Sequence, residues 1–295
     1  MKRVDLADLG IDEGAGLLIQ RALAASEPVL VCGRSATLPV DLPAWCRLRG
    51  HAVAASGDGF AISPGAFDRW RGASRAGGIA AAQTVEHAPS AWGLAARGAL
   101  VEATAPGFDL SLTDKHSVWA DEAPRLYAQA AAAQWDPAGA IPWSAAIDHP
   151  AEIEDAVVQV MTYLIENETA ALLVPVRFLA RLHPHFREVM QLLAIQAADE
   201  ARHIEVFTRR AALRRDQLGH STVGGQASLA TLFDEPDFTI ASFLLSVLGE
   251  GSFLSLLRFL CEYGPDPCTR AVARLAAQDE ARHVAFGLAH VSRHV

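Results

Sequence analysis

The sequence of 295 residues predicts a mainly α-helical protein, in which a four-helix bundle follows a small N-terminal α/β module. The pentapeptide Asp-Glu-Ala-Arg-His occurs twice, at Asp199–His203 and at Asp279–His283. Both copies lie in stretches whose apolar residues recur with helical periodicity. Helix-breaking residues precede the two copies, at 183–185 and at 264–267. Together these observations predict two helical hairpins that pack against each other.

Residues 1–65 predict the α/β module. We expect helices over Asp12–Ser26 and Asp41–Gly50, with a strand over Pro28–Gly33 between them. A β-hairpin should follow over His51–Ile62, turning at the Gly-Asp-Gly sequence that begins at Gly57.

The same segment resembles the SirA/TusA-like sulfur-carrier family in three pieces: Asp8-Leu9-Gly10, Leu42-Pro43-Ala44-Trp45-Cys46-Arg47 followed by Gly50-His51, and Asp58-Gly59-Phe60-Ala61-Ile62. The family's working Cys-Pro-x-Pro would follow Gly10, where this chain has Ile11-Asp12-Glu13-Gly14. Persulfide chemistry requires a thiolate, so the resemblance does not extend to sulfur transfer. We interpret the module as a degenerate one that serves docking or stability, with Cys46 packed in its second helix.

Residues 66–150 are interpreted as a linker and helical extension rich in Ala and Gly, with a helix over Ala120–Trp135. Trp119, Trp135 and Trp143 could wall a substrate pocket, although large aromatic residues at helical spacing more often belong to a core.

Residues 151–295 are assigned to the four-helix bundle, and two glutamates there occupy apolar positions of amphipathic helices. Glu168 and Glu250 both follow the spacing of a buried face. Glu166, the rival to Glu168, is turned roughly 160° around the helix and should face away. Glu168 and Glu200 are equidistant from residue 184, and Glu250 and Glu280 from residue 265. Each pair should therefore lie at one level of its hairpin.

A Glu-x-x-His pair places a carboxylate and an imidazole on one helix face, where both can bind the same metal ion. Two such pairs and the two upstream glutamates bring four carboxylates and two histidines to the centre of the bundle. Four buried carboxylates without compensating charge would cost several kcal/mol each (about 3–5), which two divalent cations would offset. The spacing therefore predicts a dinuclear metal site.

This inventory resembles the ferritin-like diiron carboxylate superfamily. The Asp-Glu-x-Arg-His form is similar to that of bacterial multicomponent monooxygenase hydroxylases and ribonucleotide reductase small subunits. The resemblance implies six metal ligands: Glu168, Glu200, His203, Glu250, Glu280 and His283. It also implies that Asp199 and Asp279 accept the second ring N–H of a ligating histidine, and that Arg202 and Arg282 pair with those aspartates. Gln196 shares the ligand face and is a candidate for a hydrogen bond to a ligand.

Carboxylate and imidazole donors suit iron or manganese. The resemblance favours two iron ions, with manganese or a mixed Mn/Fe pair as alternatives, and O2 as co-substrate. The expected activity is that of a diiron oxygenase or oxidase acting on a small or carrier-linked organic molecule. The sequence has no flavin or nicotinamide fingerprint, so an external electron donor is expected, either a ferredoxin or a flavoprotein reductase.

Three other functions remain open: iron oxidation or peroxide removal, a ribonucleotide reductase-like radical generator, and a non-enzymatic metal-stabilised scaffold. Ferritin-type subunits typically lack a second Glu-x-x-His. The radical-storing tyrosine of the reductase family corresponds to Phe207 here, so storage of a tyrosyl radical in the usual way is not expected.

A net charge of −9 without a basic cluster argues against nucleic-acid binding. The N-terminus has no apolar signal region, so a cytoplasmic protein is expected. The apolar tract Ile240–Leu260 carries Glu250 at its middle and is interpreted as a bundle helix rather than a membrane span. No Cys-x-x-Cys occurs, which argues against a rubredoxin-type iron centre. A homodimer is left open.

The remaining candidates are assigned to the surface or to a connection. We expect solvated side chains at these positions: His185, His220, His290, His294 and Glu205. The segment Gly219–Pro236 connects the second bundle helix to the third, as a lid or a crossover.

Overall fold

The structure is a computed structural model that describes residues 1–25, 27–79, 81–103 and 105–295. It is mainly helical, with a small mixed sheet near the N-terminus. The chain divides into two compact units, one formed by Met1–Arg75 with Leu100–Ala105, the other by Ala76–Ala99 with Pro106–Val295.

The first unit alternates strands and helices. Its elements are β1 (Lys2–Asp5), α1 (Gly16–Leu23), β2 (Val29–Cys32), α2 (Leu38–Arg49), β3 (Ala52–Ser56), β4 (Gly59–Ser63), β5 (Ser74–Arg75) and β6 (Leu100–Val101). The four-stranded sheet has the order β1-β2-β4-β3, with β1 parallel to β2 and the other pairs antiparallel. Strands β5 and β6 form a separate antiparallel pair. Apolar side chains from α1, α2 and the sheet form one core, including Ile19, Val31, Leu42 and Ile62.

The predicted strand, second helix and hairpin of this unit are present in the structure, but β1 was not predicted from the sequence. It is a four-residue strand with charged residues at both ends, and its pairing with β2 is non-local. The first helix begins with a π-helical turn over Ile11–Ala15, in which Gly14 has a φ of 105°, and α1 continues from Gly16. The predicted end of that helix at Ser26 lies outside the described residues.

The second unit contains six of the eight helices found among the described residues. They are α3 (Ala123–Ala132), α4 (Ala151–Leu179), α5 (Arg187–Ala211), α6 (Val223–Asp234), α7 (Phe238–Tyr263) and α8 (Pro267–Val291). Helices α4 and α5 pack as one antiparallel pair and α7 and α8 as another, and α5 also packs against α8. Both predicted turns are confirmed, since α4 and α5 are joined across residues 183–185 and α7 and α8 across residues 264–266.

Helix α7 is interrupted by a π-helical segment over Phe243–Gly249, which ends immediately before Glu250. By length and composition α7 is the one helix among the described residues that could cross a membrane. Its central residue Glu250 is 1% exposed, among other charged side chains of the second unit.

Two apolar clusters occupy opposite ends of these paired helices. One lies near the α4–α5 turn and includes Phe178, Phe186 and Phe286. The other includes Met161 and Phe207, from the far ends of α4 and α5. Between these clusters lies a layer of buried charged residues, so the two apolar layers separate that layer from solvent along the helix axes.

Candidate metal centre

Four helices bring the six sequence-predicted ligands together. Helix α4 contributes Glu168, α5 contributes Glu200 and His203, α7 contributes Glu250, and α8 contributes Glu280 and His283. All six side chains are buried: Glu168, Glu200, His203, Glu250, Glu280 and His283.

Their donor atoms form two overlapping groups, within each of which all atoms lie within 4.8 Å of one another. The first group contains Glu168, Glu200, His203 and Glu280, and the second contains Glu200, Glu250, Glu280 and His283. Glu200 and Glu280 belong to both groups, and each histidine to only one. Two shared carboxylates and one histidine on either side are what a pair of neighbouring metal ions requires.

Both histidines turn the same ring atom towards the carboxylates. His203 Nδ1 lies 3.2 Å from a carboxylate oxygen of Glu200, 3.2 Å from one of Glu280 and 3.5 Å from one of Glu168. His283 Nδ1 lies 2.9 Å from Glu200 and 3.3 Å from Glu280. The arrangement is therefore nearly symmetric about the two shared glutamates.

Several of these donor atoms are buried without a hydrogen-bond partner among the described residues. They include Oε1 of Glu168, Oε2 of Glu250, both oxygens of Glu280 and Nδ1 of His283. Among the short separations, the one between His203 Nδ1 and Glu200 Oε2 has hydrogen-bond geometry. The unpaired atoms have no such partner, and an unpaired buried polar atom costs about 1–3 kcal/mol. A cation binds where the lone pairs of several donor atoms point to a common position. The residues of the two groups therefore fit a dinuclear metal site.

The other nitrogen of each histidine contacts an aspartate of the opposite pentapeptide. His203 Nε2 lies 3.2 Å from Asp279, and His283 Nε2 lies 3.4 Å from Asp199. Such a carboxylate fixes which nitrogen carries the proton and leaves the other free to bind metal. The two pentapeptides therefore support each other across α5 and α8.

Arginines neutralise the aspartates. Arg202 donates to Asp199 at 2.5 Å and to Asp279 at 2.8 Å, bridging the two helices. Arg282 pairs with Asp279 and lies 3.8 Å from Asp199. Both aspartates therefore remain ionised while buried, and hydrogen bonds from the histidine and from neighbours such as Arg202 lower the pKa of Asp279 although burial opposes this.

Of the two interpretations of the three tryptophans, core packing is the one that the structure shows: Trp119 is buried, and Trp135 and Trp143 pack against an apolar cluster. Trp135 donates its indole N–H to Asp279 at 2.8 Å, beneath the guanidinium of Arg202. Trp119 belongs to the apolar cluster near the α4–α5 turn, and the Trp143 indole donates to a backbone carbonyl at 2.8 Å. The partner of Trp135 is far away in the sequence, and helical spacing does not identify it.

The six buried donors, from Glu168, Glu200, His203, Glu250, Glu280 and His283, form one layer, hereafter the ligand layer. The pKa values of its side chains indicate that it attracts positive charge. Burial, with the charges of Glu200 and Glu280, raises the pKa of Glu168 well above its ordinary value. Burial alone would lower the pKa of His203 and His283, but the surrounding carboxylates outweigh it and raise both values. The layer thus takes up positive charge, either as protons or as bound cations.

Three neighbouring residues lie where their sequence positions indicate. Gln196 donates to Glu250 Oε1 at 3.1 Å. Glu166 lines a cleft between α4 and α6, away from the ligand layer. Glu205 is exposed.

The expectation of four solvated histidines is wrong for two of them. His185 is 2% exposed because the segment over residues 76–99 packs over the α4–α5 turn: its Nε2 accepts from the Val85 N–H at 3.0 Å. His290 is fully buried between the carbonyl of Trp119 and the hydroxyl of Thr239. Burial lowers the pKa of each to about 4. His220 and His294 are exposed as predicted.

A buried ion network that the sequence did not predict lies beyond the ligand layer. Arg210 donates to Glu154 at 2.8 and 3.0 Å, to Asp266 at 2.7 Å and to the hydroxyl of Thr269 at 2.8 Å. It ties α5 to the start of α4 and to the cap of α8. Equidistance from residue 184, which pairs Glu168 with Glu200, would place residue 214 opposite Glu154, so that rule does not identify Arg210 as its partner.

Comparison of the chain with protein-family models, with curated proteins and with solved structures found no match. Function is therefore inferred from the geometry of the site.

Proposed function

We propose that the second unit contains a ferritin-like four-helix bundle, formed by α4, α5, α7 and α8 around a dinuclear metal site. The support is the distribution of donors: one glutamate from each of two helices, and Glu-x-x-His from each of the other two, all buried in one layer. The single observation that carries the proposal is that Glu200 and Glu280 belong to both donor groups.

We propose that the metals are iron and that the protein is an O2-dependent diiron oxidoreductase, either a monooxygenase or an oxidase. Four carboxylates and two imidazoles suit iron, with manganese or a mixed pair as the competing occupants. Iron bound there would supply the electrons and the binding positions needed to activate dioxygen.

The chain's own residues would control that chemistry in three ways. The apolar layers near Phe178 and near Met161 exclude water from the ligand layer. Asp199 and Asp279 hold each histidine with Nδ1 directed at the carboxylates. Hydrogen bonds to the ligands, such as that from Gln196, fix their orientation.

The proposed substrate is a small or carrier-linked organic molecule, and the proposed electron donor is a separate ferredoxin or flavoprotein reductase. The proposal of a separate donor follows from the absence of a flavin or nicotinamide fingerprint in the sequence, because each turnover of an oxygenase consumes two further electrons.

Rapid mixing of the reduced, iron-loaded protein with O2 tests the proposal. We expect a transient absorbance in the near-ultraviolet or visible region, and its loss in His283→Ala. Glu166→Gln, on the same helix as Glu168 but outside the ligand layer, should retain it. Iron that binds but leaves O2 unconsumed would contradict the proposal and favour a structural role. O2 consumption matched only by ferrous oxidation would favour a ferroxidase.

We propose that residues 1–65 form a TusA-like module that has lost sulfur chemistry. The support is the strand and helix order together with the state of its thiols: burial raises the pKa of Cys46 to about 11. A thiol of that pKa is almost wholly protonated at neutral pH and is a poor nucleophile. Alkylation by iodoacetamide at pH 7 should leave Cys46 unmodified in the folded chain.

A further inference from the structure

A cleft of about 430 Å³ lies between α4, α6 and α7. This volume is within the roughly 300–1,000 Å³ typical of small-molecule sites. Two of its lining residues immediately precede proposed ligands in the chain, since Asn167 is followed by Glu168 and Gly249 by Glu250. The cleft therefore lies against the same two helix segments that present ligands to the buried layer.

Helix α6 covers the cleft as a strap tied at both ends to α4. At one end the Gly219 N–H donates to Thr162 Oγ1 at 2.7 Å. At the other end the Arg177 guanidinium donates to the backbone carbonyls of Phe233 and Glu235. The strap is thus anchored at both ends, and none of its own residues is buried.

The lining of the cleft has no carboxylate, ammonium, guanidinium or imidazole group. Its apolar part includes Leu232 and Phe253. Three polar groups that line it make no hydrogen bond with the described part of the chain, namely the hydroxyls of Tyr163 and Ser228 and the amide oxygen of Asn167. The described lining offers a charged ligand no oppositely charged partner, whereas a neutral ligand with an apolar body and one polar group would match it.

We propose that this cleft binds the organic substrate and that the substrate is a neutral molecule with an apolar body and a hydroxyl or amide group. The inference rests on the proposed oxidoreductase function. A neighbouring cleft of about 380 Å³, between α4 and α6, is lined by Glu166 and Asp234. Its lining therefore contains two carboxylates, whereas the described lining of the first cleft contains none.

Calorimetric titration of the full-length, metal-loaded chain with three bicyclic probes tests this inference. The probes are 2-naphthol, 2-naphthoate and 2-naphthylmethylammonium, which differ mainly in charge. We expect 2-naphthol to bind at least about tenfold more tightly than 2-naphthoate. Ser228→Trp fills the cleft from α6 and should weaken 2-naphthol binding by about tenfold or more.

Val223→Trp is the matched control, because Val223 lies on the same helix, is 88% exposed and lines neither cleft. It should leave the affinity for 2-naphthol unchanged. Equal binding of the neutral and anionic probes, or unchanged binding in Ser228→Trp, would overturn the inference. Metal content is measured on the same samples. A parent protein that holds no metal would count against the proposed function. Two bound metals, together with 2-naphthol binding that is unaltered in Ser228→Trp, would count against the cleft alone.

Discussion

Glu200 and Glu280 differ from the other proposed ligands because each belongs to both donor groups, and so lies within reach of both proposed metal positions. We expect Glu200→Ala to reduce metal content from two ions per chain to less than one, since both positions lose a donor. Glu168→Ala removes a donor from one position only, and the position containing Glu250 and His283 should keep its ion. Elemental analysis after anaerobic loading with ferrous iron measures both outcomes.

Glu166→Ala serves as the control for this series, because Glu166 lies two residues from Glu168 but lines an outer cleft. It should retain two ions. If Glu166→Ala removed metal and Glu168→Ala did not, the assignment of the α4 ligand would be wrong.

Asp199 and Asp279, each of which contacts the histidine of the other pentapeptide, should affect metal affinity. Asp279→Asn leaves the six donors in place but replaces the carboxylate at His203 Nε2. Loss of such a partner typically costs about 10–100-fold in metal affinity. Competition with a chelator should show this loss, with two ions still bound at saturating iron. Glu205→Gln, an exposed change on α5, should match the parent. An unchanged affinity in Asp279→Asn would show that the aspartate does not support the ligand.

At this scale the sequence predicts the six clustered donors better than the residues that contact them. Residues that share a helix face, such as Glu200 and His203, follow from local spacing. The contact of His283 with Asp199 depends on which helix packs against α8. The contact of His290 with the carbonyl of Trp119 likewise depends on which distant segment packs there. Local spacing does not determine either contact.

At the scale of helices, the Arg210 network holds the ends of α4, α5 and α8 together. Arg210 is fully buried, so Arg210→Met would leave Glu154 and Asp266 without their cation. We expect a loss of about 3–5 kcal/mol in the free energy of unfolding, measured with urea. The exposed pair of Arg215 with Asp155 provides the control, and Arg215→Met should cost about 0–1 kcal/mol. Equal costs in the two variants would contradict the structural role of the network.

The cost of Arg210→Met should also depend on pH. Burial opposes ionisation of Glu154 and Asp266, but hydrogen bonds from Arg210 and other neighbours outweigh it and lower both pKa values. A carboxyl with a lowered pKa adds stability above its unfolded pKa of about 4 and loses it as the pH falls through the folded value. The difference between parent and variant should therefore be largest at pH 7 and shrink below about pH 4. A difference that grew in acid would contradict this sign.

Sequence patterns predict the long helices and their turns because apolar periodicity and Pro or Gly breakers are local signals. The strand β1 and the π-helical segment Phe243–Gly249 leave no such signal. The first is defined by its pairing with β2, and the second by a shift in backbone hydrogen bonding within an apolar stretch.

At the scale of the molecule, metal binding should stabilise the folded chain. Four buried carboxylates repel one another without cations, and a ligand that binds only the folded state adds about 2.7 kcal/mol per site at a hundredfold excess over its Kd. Ferrous or manganous ions, added anaerobically, should raise the Tm measured by circular dichroism. Glu200→Ala should show little of this shift. The same shift in parent and variant would place the stabilising metal elsewhere.

We propose that two cations lie side by side between α4, α5, α7 and α8. Anomalous diffraction from crystals grown with ferrous iron tests it directly. We expect two peaks per chain, both bordered by Glu200 and Glu280, one contacting His203 and the other His283. A single peak, or peaks outside this layer, would contradict the account.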